Sequence, residues 1–159
     1  MVKIEVVLYN IRSVYNVASI TRTLEAAGLK KIYLCGITPG PYDKYNEINE
    51  KFTKVSLGAE KNISFERKKS IIPLIKNLKK QGYKILSLEQ DKNSVNLFKF
   101  RPNKKEKYVL LLGEERRGLP KKVLNLSDKI LEIPLCGKKE SLNVSVAFGI
   151  AIFYLINKI

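Results

Sequence analysis

The sequence predicts an α/β fold in which a mostly parallel sheet is flanked by helices. Short apolar segments alternate with longer segments of helical spacing, which is the order of elements found in such folds. Residues 108–112 are a continuous apolar run, typical of a strand that is buried on both faces of a parallel sheet. The apolar stripe of an amphipathic helix is formed by Ile71, Leu74, Ile75 and Leu78.

The first half of the chain supplies two predicted strands and one helix. Ile4–Leu8 is a short apolar segment and is predicted as a strand. Val17–Ala27 is predicted as a helix, because Gly28 follows at the position where glycine commonly ends one. Lys31–Cys35 is the second predicted strand. The polar stretch 42–61 gives no clear pattern, and its structure is left open.

In the second half of the chain, strands are predicted at Ile85–Leu88, Tyr108–Leu112 and Lys129–Ile133. The helix that begins near Ile71 is expected to end at Gln81-Gly82. A short helix is predicted at Pro120–Leu126, and a final, almost wholly apolar helix at Ser141–Ile156. The final helix begins with polar residues, which a buried helix usually avoids.

The charge of the chain points to a polyanionic partner. Thirty Lys and Arg against 15 Asp and Glu give a formal net charge of +15 over 159 residues, a length that suits a single domain. Such an excess favours nucleic acid as the partner. A Lys-rich surface that only reflects the composition of a genome is the alternative, and the basic clusters at 67–69 and 104–107 are then solvated faces.

Several kinds of site are excluded by what the chain lacks. It contains no His, so Ser-His-Asp triads and His-based zinc sites are excluded and no metal site is expected. Cys35 and Cys136 are too few for a disulfide framework and suit a reducing cytoplasm. No GxGxxG or GxxxxGK[ST] motif occurs, which argues against a standard Rossmann or P-loop site. The apolar run 142–156 is shorter than the roughly 20 residues that span a bilayer, so no membrane partner is expected.

Three polar stretches stand out as candidates for a functional site. In the first, Asn16 is expected to cap a helix, and Arg22 follows six residues later, close enough to reach the same pocket. The second, GEERRGLP at 113–120, is a glycine-bounded loop after a buried strand, where open α/β sheets bind ligands. In the third, Ser141 is expected to cap the final helix, whereas Asn143 and Ser145 lie inside its first turns, where no cap is needed.

Together the three stretches resemble the SpoU (TrmH-like) family of RNA 2′-O-methyltransferases, within the SPOUT superfamily, and the resemblance extends over essentially the whole chain. The family's first motif pairs Asn with Arg six residues on, as Asn16 and Arg22 do here. Its second motif, GxExxG, is matched by Gly113, Glu115 and Gly118. Its third is matched by Ile133, Pro134 and the segment 141–145.

The resemblance implies a C-terminal deep trefoil knot, a bound S-adenosyl-L-methionine and a homodimer packed partly through the final helix. The cofactor would lie in the loops after Leu88, around Gly113 and from Ile133 to Leu142. The residues implied in cofactor binding are Leu88, Glu89, Leu112, Gly113, Glu114, Ile133, Pro134 and Leu142.

The reaction implied by the resemblance is methyl transfer to a ribose 2′-hydroxyl of structured RNA, either tRNA or rRNA. Arg22 would activate or orient the ribose oxygen, and Ser145 would only bond the backbone. The implied catalytic residues are Arg22, Asn16, Glu115, Ser141 and Asn143. The implied RNA-binding residues are Arg12, Arg22, Arg116 and Arg117.

Two departures from the family pattern leave alternatives open. Ala18 stands where the family usually has Gly, and Arg116-Arg117 makes the second motif more basic than is typical. A non-catalytic, knotted RNA-binding or ribosome-assembly factor is the main alternative, and methylation of a base is another. The separate N-terminal RNA-binding domain of many relatives is not expected within 1–159, so RNA recognition would fall to the catalytic domain.

Overall fold

The chain folds around one sheet of parallel strands, which confirms the predicted α/β class. The computed structural model describes residues 3–43 and 45–158. The strands are β1 Ile4–Tyr9, β2 Lys31–Cys35, β3 Ser64–Lys68, β4 Tyr83–Leu88, β5 Val95–Asn96, β6 Lys107–Leu112 and β7 Lys129–Glu132. The helices are α1 Val14–Ala26, α2 Glu50–Ser56, α3 Ile71–Lys80, α4 Lys121–Leu124 and α5 Val144–Lys158, with 3-10 turns at Ala59–Asn62 and Leu97–Lys99. The sheet order is β3-β2-β1-β6-β4-β7-β5.

Every strand pairing in this sheet is parallel, so all its carboxyl ends lie along one edge. Successive side chains of β1 point to opposite faces, as they must in a strand. On one face Val6 and Leu8 join the core beneath α1 and α5. On the other face Val7 joins the core beneath α3 and α4. The result is a sheet covered by helices on both sides.

The predicted strands and the amphipathic helix α3 are confirmed, while three elements escaped prediction. The four apolar residues of the α3 stripe are buried, and five of the six residues of β6 are buried. The strand β3 was missed because its sequence, SFERK, is mostly polar, as a strand at the edge of a sheet can be. The two-residue β5 and the short helix α2 have too few residues to show a hydrophobic periodicity.

Both predictions of helix caps were wrong. Helix α1 begins at Val14, and its cap is Ser13, whose hydroxyl accepts the backbone N–H of Asn16 at 3.2 Å. Helix α5 begins at Val144 rather than at Ser141. Its cap is Asn143, whose carbonyl accepts the N–H of Ala147 at 2.9 Å and whose side chain accepts that of Ser145 at 2.9 Å. As a result, the side chains of Asn16 and Ser141 are not used as helix caps, and that of Asn143 is.

Helix α5 is held by a buried face and by a strap of chain. Phe148, Ala151, Ile152 and Leu155 are fully buried in the core beneath α1 and α5. The Tyr154 hydroxyl lies 2.7 Å from the carbonyl of Phe98 and 2.9 Å from that of Phe100, and Arg101 donates to it. These bonds fasten residues 98–101 across the helix. Within the part of the chain that the structure describes, no helix combines the length and the apolar character needed to cross a bilayer.

A buried carboxylate lies near the start of β1, far from the carboxyl edge. Glu5 accepts hydrogen bonds from the hydroxyls of Tyr33 at 2.8 Å and Tyr83 at 2.6 Å, and Lys3 Nζ lies 3.1 Å away. Burial alone would raise the pKa of Glu5, but the hydrogen bonds from Tyr83, Tyr33 and Lys3 outweigh it and lower the pKa below its ordinary value. Glu5 is therefore ionised in the folded protein at neutral pH.

The two cysteines have opposite environments. Cys35 is fully buried at the end of β2, and burial raises the pKa of its thiol to about 12, with a smaller opposing effect from Lys68. Cys136 is exposed in the loop after β7. Only the exposed thiol is open to reagents in the folded chain.

Candidate active site

A cavity of about 390 Å³ lies at the carboxyl ends of β4, β6 and β7. The loop after each of these strands contributes to its walls, which is where an open parallel sheet is expected to bind a ligand. The loops after β4 and β7 meet where the side-chain amide of Gln90 donates to the carbonyl of Glu140 at 2.9 Å. That bond closes one side of the cavity.

The lining combines apolar side chains with carboxylates. The apolar part consists of Leu88, Leu112, Leu131, Ile133, Leu135, Leu142, Val144 and Ala147. The acidic part consists of Glu89, Glu114, Glu115, Glu132 and Glu140. Arg116, Arg117 and Ser141 complete the wall together with Gly113, Gly118 and Gln90. A flat apolar group and a positive charge would both find partners here.

Of the residues implied in cofactor binding, all but Pro134 line this cavity. Pro134 lies in a second, more open depression beside it. The two share Gln90, Glu132, Ile133, Leu135 and Glu140. The structure thus brings together the loops after Leu88, Leu112 and Glu132, which are widely separated in the sequence.

The second motif forms a loop that closes on itself. The N–H of Gly118 donates to the carbonyl of Glu114 at 2.9 Å, and Gly118 has a positive φ of 63°. A Cβ on Gly113 would lie 2.4 Å from the backbone carbon of Gly118 and 2.6 Å from the nitrogen of Leu119. Since neither backbone atom can move aside cheaply, only Gly fits at 113.

Glu89 fixes this loop from the side of β4. Its Oε2 accepts the backbone N–H of Leu119 at 2.9 Å, and its Oε1 accepts that of Gln90 at 3.0 Å. A Cβ on Gly118 would lie 2.1 Å from Glu89 Oε2. Gly118 is therefore packed between Gly113 and the Glu89 carboxylate, which holds the loop against the end of β4.

The three motifs meet in one hydrogen-bonded chain of side chains. The amide of Asn16 donates to Glu115 Oε1 at 2.9 Å. The amide of Asn143 donates to Asn16 Oδ1 at 3.1 Å. Asn143 Oδ1 in turn accepts the hydroxyl of Ser145 at 2.7 Å. Because Asn16 is not a helix cap, both ends of its side chain are available for this network.

The arginines implied in function lie outside the network. Arg22 is exposed on α1 and forms no hydrogen bond or ion pair with the residues the structure describes, and it does not line the cavity. Arg12 is exposed in the loop between β1 and α1. Arg116 and Arg117 line the cavity mouth, where Arg117 Nε is 3.7 Å from Glu114. The structure brings Asn16, Glu115, Ser141 and Asn143 to the cavity or its rim, but not Arg22.

Comparison with known proteins identifies the family of this chain. A model of the SpoU rRNA Methylase family matches residues 3–153. The chain belongs to this family. Among the curated SpoU relatives, the tRNA (guanosine(18)-2'-O)-methyltransferase of Aquifex aeolicus is 30% identical over 144 residues, which cover 91% of this chain and 64% of the relative. The chain spans less than two thirds of the length of the curated relatives it matches most strongly.

Two solved structures share the fold of this chain over nearly all of its length. The AdoMet-bound rRNA methyltransferase from Sinorhizobium meliloti has a TM-score of 0.85 and 27% identity, with 96% of this chain and 55% of that chain covered. A structure described as giving insights into the 2-OH methylation of C/U34 on tRNA has a TM-score of 0.81 and 25% identity, with 98% of this chain and 95% of that chain covered. The second is nearly the same length as this SpoU protein.

Reasoning from the SpoU motifs missed two features of the site. Ser145 was expected only to bond the backbone, but its hydroxyl donates instead to the side chain of Asn143. The role of Glu89 in holding the glycine loop has no local signal, because its partner Leu119 is 30 residues away. The polar character of 141–145 was the one signal that could have led to Ser145.

Proposed function

We propose that this protein transfers a methyl group from S-adenosyl-L-methionine to a ribose 2′-hydroxyl of structured RNA. The observation that carries the proposal is the network of Glu115, Asn16 and Asn143, one residue from each SpoU motif, at the rim of the cavity. These three polar residues are exposed or half-exposed, so the network is not needed to satisfy buried polar groups. Its position at the cavity rim therefore favours a catalytic protein over a non-catalytic one.

The residues present fit the cofactor. The tight contact between Gly113 and Gly118 brings backbone close to the cavity, where a side chain would intrude. Five carboxylates line a space whose ligand would carry a positive sulfonium and an ammonium group, and the leucines suit an adenine ring. When bound, S-adenosyl-L-methionine supplies a methyl group that is activated by its attachment to positive sulfur. Leu88, Leu112, Gly113 and Ile133 would hold it.

The polar network would orient the ribose that enters beside the cofactor. Asn16 and Asn143 fix each other's amide planes, and Glu115 fixes Asn16. Preorganised groups of this kind accelerate a displacement chiefly by alignment. The apolar wall formed by Leu142 and Val144 would exclude water from the reacting atoms.

Arg22 would act on the ribose oxygen from a second copy of the chain. A guanidinium group offers hydrogen-bond donors and no acceptor, so Arg22 would bind the ribose oxygen or a neighbouring phosphate. Its separation from its own cavity supports a site completed by a partner.

A homodimer packed partly through α5 is supported by the exposed apolar stripe on that helix. Val146 is 51% exposed and Phe153, seven residues on, is 42% exposed on the same face. Tyr15 on α1, which packs beside α5, is 57% exposed. An apolar stripe of this kind is typical of an interface between subunits. Sedimentation equilibrium should give twice the chain mass, and a monomer at micromolar concentration would contradict the dimer.

The C-terminal segment is inferred to form a deep trefoil knot. The strand β7 lies between β4 and β5, which precede it in the chain, and the strap 98–101 crosses α5. Both features support the proposal that the chain end is threaded through an earlier loop. In single-molecule stretching, the unfolded chain should be shorter than its full contour, and an extension equal to that of all 159 residues would contradict the knot.

The substrate class is proposed as tRNA or rRNA in the cytoplasm. The chain's charge of +15 suits RNA, and its relatives are named for both classes. Incubation with methyl-labelled cofactor and separate pools of unmodified tRNA and rRNA should yield labelled 2′-O-methylnucleosides. Label found in a base would instead show that the protein is a base methyltransferase. Cofactor and RNA binding without transfer to any pool would favour the non-catalytic alternative.

A further inference from the structure

A second feature of the carboxyl edge lies away from the cavity, at the ends of β1, β2 and β3. Thr38, in the loop after β2, is fully buried and joins three loops there. Its hydroxyl accepts the N–H of Ile11 at 3.2 Å, and its carbonyl accepts Arg67 Nη1 at 2.9 Å. The N–H of Gly36 donates to the carbonyl of Lys68 at 3.1 Å. The loops are therefore fixed relative to one another, and we call this surface the three-loop platform (residues 10–13, 36–42 and 67–70).

The outer surface of the platform is cationic and apolar. Arg12, Arg67 and Lys69 are exposed. Ile37 is 60% exposed and Tyr42 is 49% exposed. Two acidic residues lie near this surface in the described part of the chain. The first, Glu66, is neutralised by Lys31 at 2.7 Å and by Lys68. The second, Asp43, accepts the N–H groups of residues 45 and 47, so its charge is directed into the turn beyond Tyr42.

The platform continues from the cavity along one line. The order β3-β2-β1-β6 places it next to the loop of Gly113, which follows β6. Neighbouring strands lie about 4.8 Å apart, so the end of β3 is roughly 14 Å from the end of β6. An RNA strand with its target ribose at the cavity would reach Lys69 within a few nucleotides.

We propose that the three-loop platform binds an unpaired stretch of the substrate RNA next to the target nucleotide. This inference rests on the proposed function for the identity of the RNA. Arg12, Arg67 and Lys69 would contact phosphates, and Ile37 with Tyr42 would receive the face of a base. Bases offer such a face only where they are unpaired, so the target lies in a loop or at a bulge rather than within a helix.

The test is RNA binding as a function of salt, with a labelled RNA stem-loop and the fully paired duplex of the same stem as probes. Arg12→Gln and Lys69→Gln should each weaken stem-loop binding several-fold and reduce the slope of log affinity against log salt by about 0.7. Tyr42→Ala should weaken stem-loop binding about tenfold without changing that slope, and should leave duplex binding unchanged.

Matched controls lie at the opposite edge of the sheet. Lys30 precedes β2 and Lys80 ends α3, and both are exposed. Lys30→Gln and Lys80→Gln should leave affinity and slope at wild-type values. Equal effects of control and platform variants would overturn the proposal, because binding would then be diffuse. Equal loss of stem-loop and duplex binding in Tyr42→Ala would also overturn it, as would unchanged RNA binding in all platform variants, the result expected if a protein partner docks there.

Binding does not require methyl transfer, so the two proposals can fail separately. A wild-type protein that transfers no methyl group but shows the platform effects would refute the proposed function and keep the platform as an RNA site. Methyl transfer by the wild type, with no effect of the platform variants on RNA binding, would support the proposed function and refute the platform as an RNA site.

Discussion

The amide of Asn143 donates a hydrogen bond of 3.1 Å to Oδ1 of Asn16, 127 positions earlier in the chain. The same Asn143 caps α5 through its other side-chain atom. One residue thus sets where the last helix begins and how the first motif is oriented. The start of α5 and the candidate catalytic network are therefore mechanically linked.

Separating these two roles of Asn143 gives the first prediction. Asn143→Asp keeps an acceptor for the N–H of Ser145 but removes the donor to Asn16. Single-turnover methyl transfer should slow by about 10²-fold through misalignment, while the Tm stays near that of the wild type. Asn143→Ala should lose both the rate and about 1 kcal/mol of helix-cap stability. Transfer at the wild-type rate by Asn143→Asp would remove the network from the mechanism.

The glycine loop predicts a sharp contrast among glycines near the cavity. Gly113→Ala must displace the backbone of residues 118 and 119, so calorimetry should show at least a tenfold loss of affinity for S-adenosyl-L-methionine. Gly137→Ala is the matched control, since a Cβ there meets nothing within 4 Å. Equal affinities of the two variants would show that the loop does not shape the cofactor site.

The position of Arg22 predicts complementation between inactive chains. Arg22→Ala and Gly113→Ala homodimers should each transfer methyl groups at least 10²-fold more slowly than the wild type. Mixed dimers should regain activity, because one of their two sites combines an intact cavity with an intact Arg22 from the partner. Dimers tagged on each chain and purified by both tags provide the measurement. No gain over the parent homodimers would place Arg22 in the site of its own chain.

The environment of Glu5 predicts a stability that depends on pH. Its folded pKa lies below the unfolded value of about 4.3, so its ionisation stabilises the fold above that pH, and the contribution is lost as pH falls through the folded pKa. The Tm of Glu5→Gln should lie on the order of 2–4 °C below the wild type at pH 7. The gap should narrow as the pH falls below that unfolded value.

The cysteines predict a labelling pattern. At pH 8 a thiol reagent should add once to the folded protein, at Cys136, because the raised pKa and burial of Cys35 suppress its thiolate. Denaturant should allow a second adduct. Mass spectrometry counts the adducts, and Cys136→Ser should take none while folded. Rapid double labelling under native conditions would show that β2 opens more readily than its burial indicates.

Most of the sheet could be predicted from local pattern, because its central strands are buried. An apolar run such as β6 and a stripe such as that of α3 carry their signal in the residues themselves. Within the described residues, the edge strand β3 pairs with β2 alone, and its polar side chains gave no such signal. The end of α1 was marked by Gly28, but its start was not, since Ser13 and Asn16 are both acceptable caps by type.

The candidate site was predictable in its membership but not in its connections. The residues of the three motifs could be named from the sequence because the family resemblance pairs each with a position. Which of them touch is decided by contacts such as Asn16 with Glu115, 99 positions apart. Those contacts follow from the strand order, in which β1 lies beside β6 and not beside β4. The order of strands in the sheet cannot be predicted from local sequence patterns.

The pairing of β1 with β6 also determines how late in synthesis the sheet can be completed. β1 pairs with β2 on one side, but Ile4 pairs on the other side with Tyr108, so the second neighbour of β1 is synthesised more than 100 residues later. At about 5–20 residues per second, that interval is on the order of 5–20 s. During it, β1, β2 and β3 can form half a sheet with an open apolar edge at β1. We expect a nascent chain stalled in this interval to expose that edge and to be prone to aggregation.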